Sequence, residues 1–144
     1  MPESDDSTSR PLFTEAATLV QVGIAIVMRD GAVLVGERGP DVPLAGYAEF
    51  PGGKVEAGES PEECAVRECA EETGLLVRSV EPLLRQPWSY PHANVVLHFI
   101  RCELVEPLVD QLPTGNFRWR PAGELRRLRF PDANAAIVET IAAG

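Results

Sequence analysis

The sequence predicts an α+β fold in which a mixed β-sheet is sandwiched between helices. Three observations predict it. A β-branched run from Leu19 to Met28 is followed by an Asp-Gly turn and a second apolar run. A helix with clear start and stop signals occupies the middle of the chain, between Ser60 and Gly74. Further strand-like stretches follow, and a second amphipathic helix comes after Pro131. At 144 residues the chain is too short for two separate cores.

Taken in order, residues 1–17 are polar, acidic and rich in Ser and Thr, and are expected to be a disordered leader to a domain over 18–144. The run Leu19-Val20-Gln21-Val22-Gly23-Ile24-Ala25-Ile26-Val27-Met28 has the composition of a buried strand. Arg29-Asp30-Gly31 carries hairpin-turn chemistry, and Ala32 to Gly36 returns as the partner strand. Glycines and prolines from Gly39 to Gly46 mark an irregular loop, and Glu49-Phe50-Pro51-Gly52-Gly53 leads through a second glycine-rich passage. Ser60 then suits an N-cap, Pro61 the first helical position and Glu63 the return arm of a capping box. Gly74 is the stop. Ala65, Val66, Cys69 and Ala70 form the stripe that packs on the sheet. Strands are expected near Leu75 to Val80, Val95 to Leu104 and Phe117 to Arg120, with a short helix over Pro121 to Leu128. The last helix puts Ile137, Val138 and Ile141 on its inner face.

Hydrophobic residues make up 44% and charged residues 24%, as in a soluble globular protein. The formal net charge of -9 argues against duplex nucleic acid or an anionic membrane as the main partner, since both need a basic footprint. A small anionic substrate fits only if a bound cation reverses the local field. No segment reaches the ~18 apolar residues that span a bilayer, and the N-terminal residues carry no signal-peptide pattern. Cys64, Cys69 and Cys102 lack zinc-like spacing and are odd in number, which points to buried free thiols in a reducing cytoplasm. Oligomeric state leaves no mark in the sequence.

The central helix and its approach carry Glu56, Glu59, Glu62, Glu63, Glu68, Glu71 and Glu72. A solvated face is the bland reading of such a run. Spacing argues against it, because Glu68, Glu71 and Glu72 stand at i, i+3 and i+4 and crowd one face. Like charges at that spacing cost roughly 0.2–0.5 kcal/mol per pair. The helix dipole disfavours anions in the last turn by about 0.3–1 kcal/mol each. A divalent cation relieves both penalties, and Mg2+ takes carboxylate oxygens together with substrate phosphates. Arg67 has Glu63 and Glu71 one turn away on either side and is placed to hold a carboxylate by a forked pair of hydrogen bonds.

These residues resemble the Nudix box, G-x5-E-x7-R-E-U-x-E-E-x-G-U with U aliphatic. Here it runs Gly53, Glu59, Arg67-Glu68, Cys69, Ala70, Glu71-Glu72, Thr73, Gly74, Leu75. Only Cys69 departs, and Cys packs as a small hydrophobe. The resemblance implies the Nudix fold, an α/β/α sandwich around a mixed sheet, and a Mg2+-dependent hydrolase in which Mn2+ can substitute. It implies metal ligation by Glu68, Glu71, Glu72 and the carbonyl of Gly52, with Glu59 and Arg67 orienting the ligands. Glu68 is the first choice for a base that also ligands metal. Catalytic work is thus expected of Glu68, Arg67, Glu59 and Glu71.

The segment from Glu49 to Glu56 resembles the start of the box in MutT-type nucleotide pyrophosphohydrolases, which places Glu49 and Phe50 beside the substrate. Arg38 is either a phosphate contact, as in similar enzymes, or a solvated strand-end arginine. Phe130-Pro131-Asp132-Ala133-Asn134 resembles the MutT segment whose asparagine recognises an oxidised guanine, and an amide suits a purine edge. The alternative for Asn134 is a helix cap. The MutT pattern has a further acidic residue before the last strand, for which Asp110 alone could substitute, and an arginine that the loop from Tyr90 to Asn94 lacks. His92 and His98 read as a loop and a strand residue, and Trp88 and Trp119 as packing, with stacking on a base the alternative for Trp88. The expected substrate is a nucleoside triphosphate such as 8-oxo-dGTP, cleaved to monophosphate and pyrophosphate. ADP-ribose, a dinucleoside polyphosphate, a cytidine-type nucleotide and a non-catalytic binding module are the alternatives, the last opposed by the intact box carboxylates.

Overall fold

A computed structural model describes residues 18–105 and 111–144. The expected leader over 1–17 and Asp110 lie outside the described residues. Strand β1 (Thr18–Arg29) turns through Asp30 and Gly31, at φ 51° and 81°, into β2 (Ala32–Glu37). Two successive left-handed residues make the tight turn whose twist matches antiparallel strands. Short strands β3 (Ala48–Glu49) and β4 (Gly52–Lys54) precede helix α1 (Pro61–Thr73). The long hairpin β5 (Val77–Tyr90) and β6 (Ala93–Leu104) follows, then β7 (Arg118–Pro121), a 3-10 turn over Ala122–Arg127, a second over Asp132–Asn134, and α2 (Ala135–Ala142).

β1 organises the mixed sheet. One edge runs parallel to β6 from Thr18↔Ala93 to Val27↔Cys102. Its other edge divides, pairing antiparallel with β4 at Val22 to Ile24 and with β2 at Met28 and Arg29. β2 pairs antiparallel with β3 at Gly36 and Glu37 and with β7 from Ala32 to Val35. Side chains alternate between two cores. Ile24, Ile26, Val33, Val35, Phe99 and Leu125 face α2, whose Ile137, Val138 and Ile141 pack on them. Ala25, Val27, Leu34, Ile100 and Cys102 face α1, meeting Ala65 and Cys69. A strand covered on both faces reads as a continuous apolar run, which is why β1 shows no alternation in the sequence. Truncating fully buried Ile26 to Ala should cost about 2–5 kcal/mol.

The structure extends several expectations. β5 continues beyond Val80 to Tyr90, and the expected loop over 90–94 shrinks to Pro91 and His92. Pro82 and Pro87 argue locally against a strand, yet among the described residues β5 pairs only with β6, and an edge strand tolerates proline. Register shifts between Ser79 and Glu81 and between Pro82 and Leu84 absorb the misfit. Gly52 to Lys54, read as loop, pairs with β1. The three cysteines are free and buried, and burial pushes the Cys102 thiol up to about 12. Among the described residues, no helix is long and apolar enough to cross a membrane.

Candidate active site

The site is built on α1 and the passage that leads into it. Ser60 Oγ accepts from the Glu63 N–H at 3.0 Å, and the Glu63 carboxylate accepts from the Ser60 N–H at 2.9 Å. At the other end Gly74, at φ 78°, donates to the Ala70 carbonyl at 3.0 Å. Thr73 Oγ1 donates to the Cys69 carbonyl at 2.7 Å and accepts from the Leu75 N–H at 3.1 Å. These bonds close the helix, and no basic residue stands in its last turn. Glu71 and Glu72 therefore sit there against the dipole.

Arg67 organises the carboxylates. Its Nε and Nη2 donate to the two oxygens of Glu59 at 2.7 and 3.1 Å, the forked arrangement that fixes a carboxylate in plane. Nη1 donates to Glu68 at 3.1 Å and to Glu71 at 3.3 Å. Nη2 also reaches the Lys54 carbonyl at 3.2 Å, tying helix to β4. Helical spacing suggested Glu63 as a neighbour of Arg67; Glu63 is engaged in the capping box, and Glu59 from the loop takes that place. The Arg67 guanidinium, helped by the Glu56 amide, holds the Glu59 carboxyl down to about 2.

Glu68 and Glu72 meet beside the glycine passage. Burial raises the Glu72 carboxyl to about 8, reinforced by a hydrogen bond to Glu68 and by the charges of Glu68 and Glu49, while the Gly52 amide opposes. Gly53 makes the approach possible, since a Cβ there would collide with the Glu68 carboxylate. Gly23 seats the helix in the same way: its Cβ would stand 2.5 Å from the Pro61 carbonyl and 2.8 Å from Cys64 Cβ. Glu71, 59% exposed, turns to Arg67 at the rim. Among the described residues no three such groups form a ready-made metal cluster. The donor set still suits a hard cation, being all oxygen, with two carboxylates close enough to share a proton that a divalent ion would displace.

A second row of groups adjoins this pair. Arg38, one residue beyond β2, donates from Nη1 to Glu49 at 3.2 Å and from Nε to the Pro43 carbonyl at 2.7 Å. Burial raises the Glu49 carboxyl, and Arg38 lowers it. Phe50 is buried and stacked on Phe130 with centroids 4.9 Å apart, so it forms the floor beneath this row. Burial and then the charge of Asp132 raise the Tyr90 hydroxyl, with Arg38 opposing, so Tyr90 lies within the field of both. Asn134 ends the second 3-10 turn, and its side chain makes no capping hydrogen bond to α2. The helix-cap alternative is therefore not realised. Tyr90 and Asp132 escaped the sequence reading as a pair, because only the β5–β6 hairpin brings residue 90 beside the segment before α2. His92 stacks on Tyr90 at 5.8 Å, and His98 bonds Gln21 at 2.7 Å. Trp88 and Trp119 pack against the two cores.

A fold with α1 seated this way, and a helix bearing Glu68, Glu71 and Glu72 behind two glycines, defines a class. The NUDIX domain family model matches residues 18–141, and the chain belongs to the Nudix hydrolases. Such enzymes generally use divalent metal ions. The chain is 30% identical over 126 residues to the 8-oxo-dGTP diphosphatase of Haemophilus influenzae, covering 85% of this chain and 91% of that one. It is 29% identical over 122 residues to the 8-oxo-dGTP diphosphatase of Escherichia coli, covering 83% and 93%. Among solved structures it is similar to the E. coli ORF135 protein, at 25% identity and a TM-score of 0.71, covering 90% and 93%.

Proposed function

We propose that this chain hydrolyses a nucleoside triphosphate to the monophosphate and pyrophosphate in a Mg2+-dependent reaction, with an oxidised guanine nucleotide such as 8-oxo-dGTP as substrate. The observation that carries the reading is the adjacency of the Glu68–Glu72 pair to the Arg38–Glu49 pair, with Tyr90 and Asp132 beyond. One end suits a cation and the other a base, so a nucleotide spans them with its phosphates between. The names of the two similar diphosphatases support the same substrate class.

Glu68, Glu72, Glu71 and the Gly52 carbonyl would hold the metal. A divalent ion held there would supply charge neutralisation for phosphoryl oxygens and would lower the pKa of a nearby water. Glu68 takes the proton of the attacking water. A new oxygen–phosphorus bond forms as the α–β anhydride bond breaks, and pyrophosphate leaves. Arg67 holds Glu68 and Glu59 in place and does not touch substrate. Arg38, freed from Glu49, binds phosphate, and Glu49 and Asn134 are left to face the base over the Phe50–Phe130 floor. Asn134 offers a donor and an acceptor to the purine edge.

The test is a panel of nucleotides incubated with Mg2+, products being resolved by mass. The expected result is 8-oxo-dGMP and pyrophosphate at the highest kcat/KM, abolished by EDTA. A preference for ADP-ribose or a dinucleoside polyphosphate would overturn the substrate, and full turnover in EDTA would overturn the metal.

A further inference from the structure

A cleft of about 600 Å3 opens over β2, lined by Val35 to Arg38, by Ala48 of β3 and by Arg118 and Arg120 of β7. Arg38, Arg118, Arg120 and Arg129 line it, and among the described residues Glu37 is its one carboxylate. Four of the chain's 13 lysines and arginines thus line one hollow in a protein of net charge -9. The register explains the clustering. Arg118 and Arg120 stand opposite Val35 and Val33 and share their side of the sheet, while Trp119 faces the other core. The third guanidinium is Arg129, held over the Tyr47 ring at 4.5 Å. Arg120 bonds Glu124 at 3.3 Å through Nε. Among the described residues, Arg118 and Arg129 have no carboxylate partner. None of Glu68, Glu71, Glu72, Phe50 or Asn134 lines the cleft; Arg38 alone belongs to both sites.

We propose that this cleft is a second anion site, distinct from the α1 carboxylates, which takes the phosphate group of a small ligand. The volume falls in the ~300–1,000 Å3 range of small-molecule sites. A lining of guanidinium forks suits phosphate oxygens, which they bind in pairs. Like charges gathered in a hollow also focus the field there, so an anion relieves their mutual repulsion. Inorganic pyrophosphate and a nucleoside monophosphate share this chemistry, and either can supply the group. The proposal stands without the substrate assignment, because it rests on Arg118, Arg120 and Arg129, which that assignment does not use.

Isothermal titration of the full chain in EDTA at low salt, with pyrophosphate in one series and GMP in the other, tests it. Saturable binding of at least one ligand is expected, and the stronger series identifies the source. The double variant Arg118→Ala/Arg129→Ala should weaken binding by about tenfold or more, since two charge-assisted contacts are lost. Arg118→Lys keeps the charge without the fork and should fall between. No saturable binding, or equal binding by the parent and a double variant of unchanged melting temperature, would overturn the proposal. So would a loss confined to Arg38→Ala, which would place the anion on the Glu49 side.

Discussion

Replacing Glu72 by Gln separates a metal ligand from a structural carboxylate. In the metal-free protein the Glu72 carboxyl is raised to about 8 from an ordinary 4.5. Near pH 4 and below, native and unfolded chains both hold this proton, and the group contributes nothing. Between about 4.5 and 8 the unfolded chain releases it while the native chain retains it, so stability falls as pH rises. Above 8 the whole penalty is present. The full displacement corresponds to about 5 kcal/mol. Partial solvent access and a proton shared with Glu68 reduce it to about 1–3 kcal/mol. In Glu72→Gln the new side-chain amide can donate to Glu68 and accept from the Gly52 N–H without carrying charge. The variant should therefore match the parent at pH 4.5 and exceed it by roughly 3–10 °C in Tm at pH 9 in EDTA. Mg2+ should raise the parent's Tm and leave the variant's nearly unchanged, because only the parent has the intact ligand set. Thermal unfolding at three pH values, with and without Mg2+, reads all of this. A variant less stable than the parent at pH 9, or a pH-independent difference, would refute the reasoning.

Three further outcomes follow from the same geometry. Gly53→Ala puts a methyl group into the Glu68 carboxylate and should lower kcat by about 100-fold or more while the chain still melts cooperatively; near-parental turnover would mean Glu68 does not work from this position. Arg67→Lys removes the forked bond to Glu59 and should reduce Mg2+ affinity or activity by about 10–100-fold, measured as activity against Mg2+ concentration. Asn134→Ala should lower kcat/KM for guanine nucleotides by roughly 2–12-fold and spare pyrimidine nucleotides, whereas Arg38→Ala should weaken all alike. Equal losses across every base for Asn134→Ala would remove its recognition role.

Local chemistry made much of this chain legible. The capping box at Ser60 and Glu63, the left-handed stop at Gly74 and the Asp30-Gly31 turn depend on neighbours a few residues apart, and each forms where its sequence signal stands. The same is true of the carboxylate face, because helical spacing alone brings Glu68 beside Glu72. Long-range pairing governed the rest. β4 is a strand only because β1 offers a free edge opposite Gly52 to Lys54, and β5 passes two prolines only because β6 holds it from one side. Glu59 displaces Glu63 at Arg67 because the loop folds back along the helix, which no periodicity announces. Tyr90 joins Asp132, and four arginines gather over β2, for the same reason: their neighbours are remote in sequence and fixed by strand register. Residue order and spacing were enough for most of the elements, for the helix that bears the acids and for the family. Which acids meet, which other side chains stand beside them and where the positive charge collects all waited on the folded sheet, since each depends on contacts across it.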